Sequence, residues 1–436
     1  MVHSFYEHLL HDLLGDIAAR RLAGWLATAG FQKTSDSQFP TLEAQGALKS
    51  MKRRLATLIN SCHSYIYPVI RHIYPIVTPK DNRRLSNAEF LVARQICKEV
   101  LESVQSRPRF VSANGIDPKF AMPDANWSYE APNEFVDLFV RVSRSEKDVI
   151  ENLRAFSQVF SGYNLYQVCD GKGLSMSKLE FTGRIWEQVK FNLRERGFAF
   201  VFENLSMVKG LPERYLFKPP SMLGECGYSV NGTIVNRDTN GYQERINLIF
   251  ESGIGNYLDS LLRQRDEIRI LEIGGGYGAI AYWFKQAFPK ASYSIVDLPE
   301  CILFSRLYLT LTIPDIPTSF GLDPAQYGIR FIPNFMSEQL EESFDLVINT
   351  LSMSEMSAYQ VERYVDLIKN VWVRDEGLFF EQNQDIRSIG LLFAEGVFAS
   401  KFAERVNLHP EGLSYTNGYP NVWSNHPIML KSNPRE

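Results

Sequence analysis

The chain has 436 residues, 45% apolar and 22% charged, enough for two packed domains or one large domain with an extension. A formal net charge of −4 argues against a nucleic-acid groove over much of the surface, while leaving room for a small basic pocket. Cys62, Cys97, Cys169, Cys226 and Cys301 are scattered and never spaced as CxxC, so neither a disulfide framework nor a zinc site is indicated and a reducing cytoplasm is expected; no spaced ligand motif elsewhere points to another metal.

The opening "MVHSFYEHLLHDLLGDIAARR" threads charges through its apolar residues, unlike a secretory signal. No stretch reaches the roughly 18 apolar residues of a membrane span. Residues 1–160 read as a helical region, with apolar residues at three- and four-residue steps in "MKRRLATLINSCHSYIYPVIRHIY" and "NAEFLVARQICKEVLESVQ". Turn-rich stretches such as "NGIDPKFAMPDANWS" separate those helices. This region could cap a pocket, select an acceptor or form a homodimer. Residues 161–245 read as a connecting region of helix and hairpin, with Asn231-Gly232 between short β-prone runs as the hairpin turn. From 246 to 436 the strand-like "IRILEIG", "SYSIVDL", "IRFIP", "FDLVINT" and "GLFFEQ" alternate with helical segments. That alternation predicts an α/β, doubly wound, mainly parallel sheet, with any nucleotide site at the carboxyl ends of its strands.

The turn Gly274-Gly275-Gly276-Tyr277-Gly278-Ala279 follows the first of these strands and opens a helix. Glycines admit positive φ and let a ligand approach where a Cβ would clash. Gly274, Gly276 and Ala279 satisfy the dinucleotide fingerprint, which alone is a weak signal. Glu272, one residue before the turn, suits an ammonium-bearing ligand and would repel a pyrophosphate. Asp297, about twenty residues on, can accept both hydroxyl protons of a ribose in either kind of cofactor.

In order and spacing, "LEIGGGYGAIA", "IVDLPECILFSRLYL" and "FDLVINTLSMSEMSAYQVERYVDLI" resemble the sugar O-methyltransferase family, best between about residues 220 and 385. The resemblance implies a seven-stranded class I methyltransferase sheet (Rossmann-like) that ends in an antiparallel hairpin, with "YPNVWSNHPIMLKS" supplying the last strand. It implies S-adenosyl-L-methionine as cofactor and methyl transfer to a sugar hydroxyl of a glycan, nucleotide sugar or natural product. Carried over by position, Glu272, Gly274, Gly275, Gly276 and Gly278 would line the methionine and ribose. Asp297 would hold the ribose, Leu298 would lie beside the adenine and Asn334 would meet its amine.

An alcohol is a poor nucleophile at neutral pH, so a general base is expected. "NTLSMSEM" follows the fourth strand and places Asn349, Ser352, Ser354 and Glu355 at the cofactor mouth. Glu355 is the first candidate base, with burial against Met353 and Met356 expected to raise its pKa; the alternative is a residue favouring the helix that follows. His426 is the second candidate and His409 the third, each a lone histidine beside a proline. Glu381, Asn383 and Asp385 follow the fifth strand and could contact substrate, and Asp238 and Tyr242 could reach across the cleft as a lid. The competing readings are methylation of a phenolic or polyketide hydroxyl, and a catalytically silent scaffold of the same fold.

Overall fold

The computed structural model describes residues 73–123, 146–154, 197–373, 376–383, 387, 392–408, 420–428, 430, 431 and 433. All of them belong to the unit Tyr65–Glu436. In chain order, strand β1 (Ile76–Val77) precedes the long helix α1 (Asn87–Ala113). Ser86 and Glu89 start α1 with a reciprocal capping box, which satisfies donors that the first turn leaves free. A short turn of helix, α2 (Pro118–Ala121), lies within the stretch that reads as a loop: Asp117 accepts from Lys119 N at 2.9 Å, and Pro118 opens the helix where no N–H is needed. Helices α3 (Glu146–Glu151) and α4 (Gly197–Val208) follow. Next comes the expected hairpin, β2 (Gly227–Val230) and β3 (Thr233–Val235), turned by Asn231 and Gly232 at φ 48° and 79°. Positive φ at both central residues is the turn that suits two twisted strands.

Helix α5 (Arg237–Glu251) runs unbroken through residue 245 and is followed by α6 (Ile254–Leu262). The large sheet begins with β4 (Ile268–Ile273), then α7 (Ala279–Ala287), β5 (Ala291–Asp297), α8 (Pro299–Thr312), β6 (Thr318–Phe320) and β7 (Ile329–Pro333). It continues with β8 (Leu346–Thr350), α9 (Ala358–Leu367), β9 (Leu378–Gln382), α10 (Ala394–Ala399), β10 (Glu404–Asn407) and β11 (Asn421–Ser424). The sheet order is β10-β11-β9-β8-β4-β5-β7-β6. Strands β4 to β9 pair in parallel, while β11 inserts antiparallel between β9 and β10. Sequence reasoning expected seven strands; the eighth is β6, a three-residue strand at the open edge.

Alternation along the strands explains the two faces. Ile270, Ile295, Ile348 and Phe380 enter one core, and Leu271, Val296, Val347 and Phe379 enter another. Side chains two apart share a face, so each strand feeds both cores and reads as a nearly unbroken apolar run. Burying each large aliphatic side chain contributes about 1.5–3 kcal/mol. From β4 the chain first builds outward through β5 and β7, then crosses back to place β8 on the other side of β4. The crevice at that reversal is where this architecture binds ligands. Helix α1 packs on α8, and a buried ion pair between Arg107 and Glu300 joins the two.

Candidate functional site

At the carboxyl ends of β4, β5, β7 and β8 lies a cleft with about 1000 Å³ of empty space, open solvent included. Its floor is the glycine turn. Gly274 has φ +75°, and a Cβ there would land on the side chain of Ser352. The backbone at this point is both left-handed and in contact, so only glycine fits without displacement. Gly278, at φ +91°, caps α7 and packs against Leu309 on the helix side. Gly274, Gly275 and Gly276 line the cleft, and Gly278 does not.

Glu272 and Asp297 flank this bend, and both line the cleft. Glu272 is buried and accepts a hydrogen bond from Tyr293 Oη at 2.9 Å. Burial pushes its carboxyl up to about 7, against the pull of Tyr293 and Arg245. Asp297 is half-buried and accepts from Leu298 N at 2.8 Å and from Gly276 N at 3.3 Å, so the turn itself orients the carboxylate. Burial pushes this group up to about 7 as well, against those backbone donors. Each is therefore poised to ionise when a cation or a pair of hydroxyl donors arrives.

Asn334 also lines the cleft, at the start of the turn after β7. Its Nδ2 donates to Ala121 O at 2.9 Å, while its buried Oδ1 has no hydrogen-bond partner among the described residues. A buried acceptor without a donor is costly, and an incoming amine would relieve it. Leu298 lies on the same wall.

The segment after β8 carries Thr350, Leu351, Ser352 and Glu355 into the cleft. Leu351 has φ 68°, unusual for a branched residue, and its N–H donates to Gln382 O at 2.9 Å. Ser352 is held from below: Asn349 Nδ2 donates to Ser352 Oγ at 2.6 Å and to Ile273 O at 2.9 Å. Asn349 is thus buried support for the floor and does not itself reach the cleft. Glu355 is half-buried in the turn Ser352–Glu355, between buried Met353 and half-buried Met356. The helix that follows it is capped by Ser357 and Gln360, so Glu355 is not the cap.

Other sequence-selected residues lie elsewhere. Ser354 is buried and donates to Asn383 Oδ1 at 3.4 Å. Asn383 donates to Asn349 Oδ1 at 2.9 Å and to Glu381 Oε2 at 3.0 Å, beneath the cleft. Glu381 ties β9 to β11 by accepting from Asn421 Nδ2 at 2.6 Å, and burial pushes it up to about 7. Asp238 is no lid residue: it is fully buried at the start of α5 and its carboxylate pairs with Arg154 Nη2 at 2.8 Å. Tyr242, one helical turn on, does line the cleft. His426 is exposed just after β11 and away from the cleft lining, which removes it as a base. His409 and Asp385 fall outside the described residues.

Sequence reasoning missed Phe120, Pro123, Arg245, Gln360 and Tyr364, which reach the lining from other parts of the chain, and Cys301, one helical turn after Asp297. Gln360 Nε2 donates to Met122 O at 2.9 Å and to Phe120 O at 3.3 Å, and Tyr359 Oη donates to Asp117 at 2.6 Å. With Asn334 these bonds strap α2 across the cleft. The Ser-x-x-Gln pattern at Ser357–Gln360 signalled only a helix start; nothing in it pointed to residues 120–122.

No family model and no curated protein matches the sequence. Solved structures do. The N-methyltransferase NodS from Bradyrhizobium japonicum WM9, in complex with S-adenosyl-L-homocysteine, is 16% identical with a TM-score of 0.27, over 40% of this chain and 85% of that one. Human methyltransferase-like protein 13, also with that ligand, is 15% identical with a TM-score of 0.30, over 43% and 84% of the two chains. The bifunctional kinase-methyltransferase WbdD is 16% identical with a TM-score of 0.31, over 43% of this chain and 40% of its own.

Proposed function

We propose that this protein is an S-adenosylmethionine-dependent O-methyltransferase whose acceptor is a sugar hydroxyl. The observation that carries the cofactor reading is the pair Glu272 and Asp297, two carboxylates on either side of a bend without side chains in a single cleft. Carboxylates there favour a cationic nucleoside and disfavour a diphosphate. Asp297 would accept hydrogen bonds from the two ribose hydroxyls, Asn334 Oδ1 would accept one from the adenine amine, and the glycine turn would leave room for the chain between them. When bound, this cofactor supplies an electrophilic methyl group on sulfur.

The protein's remaining work is to align an acceptor oxygen and take its proton. Alignment alone can lower the barrier by about 7–11 kcal/mol. Glu355, facing the cleft beside Met356, would accept the acceptor's hydroxyl proton and later pass it to solvent. The sugar reading is supported by the resemblance of "VDLPE" and "INTLSMSEM" to sugar O-methyltransferases and by the carboxylate and hydroxyls of Glu355, Ser352 and Thr350 along one side. The apolar side of Phe120, Pro123, Met356 and Tyr364 suits a flat phenol, which is the second reading.

Incubation with methyl-labelled S-adenosylmethionine and parallel panels of nucleotide sugars, glycans and phenols separates these. Label in a sugar supports the proposal; label confined to phenols overturns its acceptor, and calorimetry showing no binding of S-adenosylhomocysteine overturns its cofactor. Glu355→Gln is expected to lower turnover by about 100-fold or more while S-adenosylhomocysteine affinity stays within about threefold. Turnover near wild type would remove Glu355 as the base.

A further inference from the structure

The strand order β7-β5-β4-β8-β9 lays the groups of the cleft out in a row. Asn334 follows β7, Asp297 ends β5, Glu272 lies in β4 and Thr350 ends β8. The next station is the end of β9, where Gln382 pairs in register with Thr350, one strand spacing of about 4.8 Å away. Residues two apart on a strand share a face, so Thr350 and Gln382 lie on the face of Ile348 and Phe380, whose core Ile246 and Ile249 of α5 also enter. From α5 comes Glu244, directly before Arg245 of the cleft lining. Gln382 Nε2 donates to Glu244 Oε1 at 2.9 Å. That bond leaves Glu244 Oε2 and Gln382 Oε1 buried with no hydrogen-bond partner among the described residues. The two residues are 0% and 1% exposed, so bulk water does not serve these oxygens. Burial pushes the Glu244 carboxyl up to about 7, against the pull of Arg245 and Gln382. Buried acceptors are nearly always satisfied, and two bare ones on a bonded pair of side chains call for two donors.

We infer that Glu244 and Gln382 form an acceptor subsite that binds two neighbouring hydroxyls of the sugar, one at Glu244 Oε2 and the other at Gln382 Oε1. This rests on the function proposed above and adds two residues that neither the motifs nor the resemblance selected. Under that function the cofactor takes the stations at β7, β5 and β4, which leaves β8 and β9 for the acceptor. Glu355, after β8, meets the hydroxyl that is methylated, and the pair at β9 meets the rest of the ring. Because the two side chains are joined through Oε1 and Nε2, their bare oxygens are close neighbours, which suits hydroxyls on adjacent carbons. Neither side chain lines the cleft as it stands, so the acceptor reaches them by extending the cleft past Thr350. A hydroxyl brings the donor each oxygen lacks, whereas an acceptor molecule without that hydroxyl leaves a buried oxygen bare and is rejected.

The test measures methyl transfer from labelled S-adenosylmethionine to the methyl glycosides of glucose, galactose and mannose and to their singly deoxygenated forms, with calorimetry of S-adenosylhomocysteine alongside. In the wild-type protein, loss of either of two adjacent hydroxyls is expected to lower kcat/KM by about 10- to 100-fold, chiefly through KM. Glu244→Gln should lower kcat/KM for the parent glycoside to a similar extent. For the one deoxy glycoside that lacks the hydroxyl bound by Glu244, the same variant should stay within about twofold of wild type. Gln382→Met should show the same pattern for the neighbouring hydroxyl, and it serves if the glutamine variant does not fold. S-adenosylhomocysteine affinity should stay within about twofold in both variants, which reports an intact fold and cofactor site. A merely structural role would lower parent and deoxy glycosides alike. That uniform loss, or variants as active as wild type, would overturn the subsite and leave the proposed function standing. Wild-type protein that binds S-adenosylhomocysteine yet methylates no glycoside would bring down the sugar reading and the subsite together.

Discussion

The two sides of the cleft are built differently. One side is the ends of β4, β5 and β8, where parallel pairing fixes Glu272 and Asp297 through the main chain and Asn349 holds Ser352 from below. The other brings Phe120 and Pro123 from far up the chain and holds them with the side chains of Asn334 and Gln360. Strand ends place a group to a fraction of an ångström because many bonds over-determine them. A strap held by a few amides can give way locally at modest cost. The first side is therefore the stiffer wall, and the second the one that opens more easily.

The largest effect should come from the sheet side. Asp297→Ala removes the proposed acceptor of both ribose hydroxyls and is expected to weaken S-adenosylhomocysteine by about 100-fold, since hydrogen bonds to charged groups contribute about 1.5–3 kcal/mol each. A loss no larger than that of the strap variant below would break the comparison.

A smaller effect is expected from pH. Glu272 and Asp297 are held near 7 in the ligand-free fold, above their unfolded values of about 4. The folded protein thus binds more protons than the unfolded chain between about pH 4 and 7, so these two groups stabilise it at the acid end and that contribution fades as pH rises through about 7. A cationic ligand prefers the ionised carboxylates, and the sign reverses: affinity should rise about tenfold from pH 6 to 8, with proton release at neutral pH. Calorimetry in buffers of different ionisation enthalpy reads both. A flat profile would show that the carboxylates are already ionised or do not meet the ligand.

The smallest effect belongs to the strap. Gln360→Glu keeps an acceptor for Ser357 but loses the donors to Phe120 O and Met122 O. S-adenosylhomocysteine should bind about five- to tenfold more weakly. Amide exchange across residues 117–122 should quicken while β4 and β5 keep their protection, and equal quickening in both would mean that the strap is not a separate unit.

The same division decided what could be read in advance. Strands β4, β5, β7, β8 and β9 were legible because each is a short apolar run bounded by turn residues, and Glu272 and Asp297 because their places at strand ends follow from the turn between them. Arg245, Gln360 and Phe120 were not, because each meets the cleft only after helices from distant chain have packed. The start of α5 misled for a related reason: an aspartate before a helix looks free in sequence, but Asp238 is committed to Arg154, 84 residues earlier. His426 looked chemical, whereas its neighbour Asn425 carries the local structure by donating to Lys369 O at 2.7 Å. β6 escaped notice because three residues at an edge carry no periodicity.

Cys301 closes the cleft's inventory. It follows Asp297 by one helical turn, and burial together with Asp297, Glu300 and Glu355 raises its thiol well above the ordinary range. A cleft that receives an alkylating agent cannot safely expose a thiolate, which would compete with the alcohol and inactivate the protein by methylating itself. Under the proposed function, the acidic surroundings that would grip the donor also raise this thiol's pKa, so that one cluster of charge would both hold the reagent and shield its own container from it.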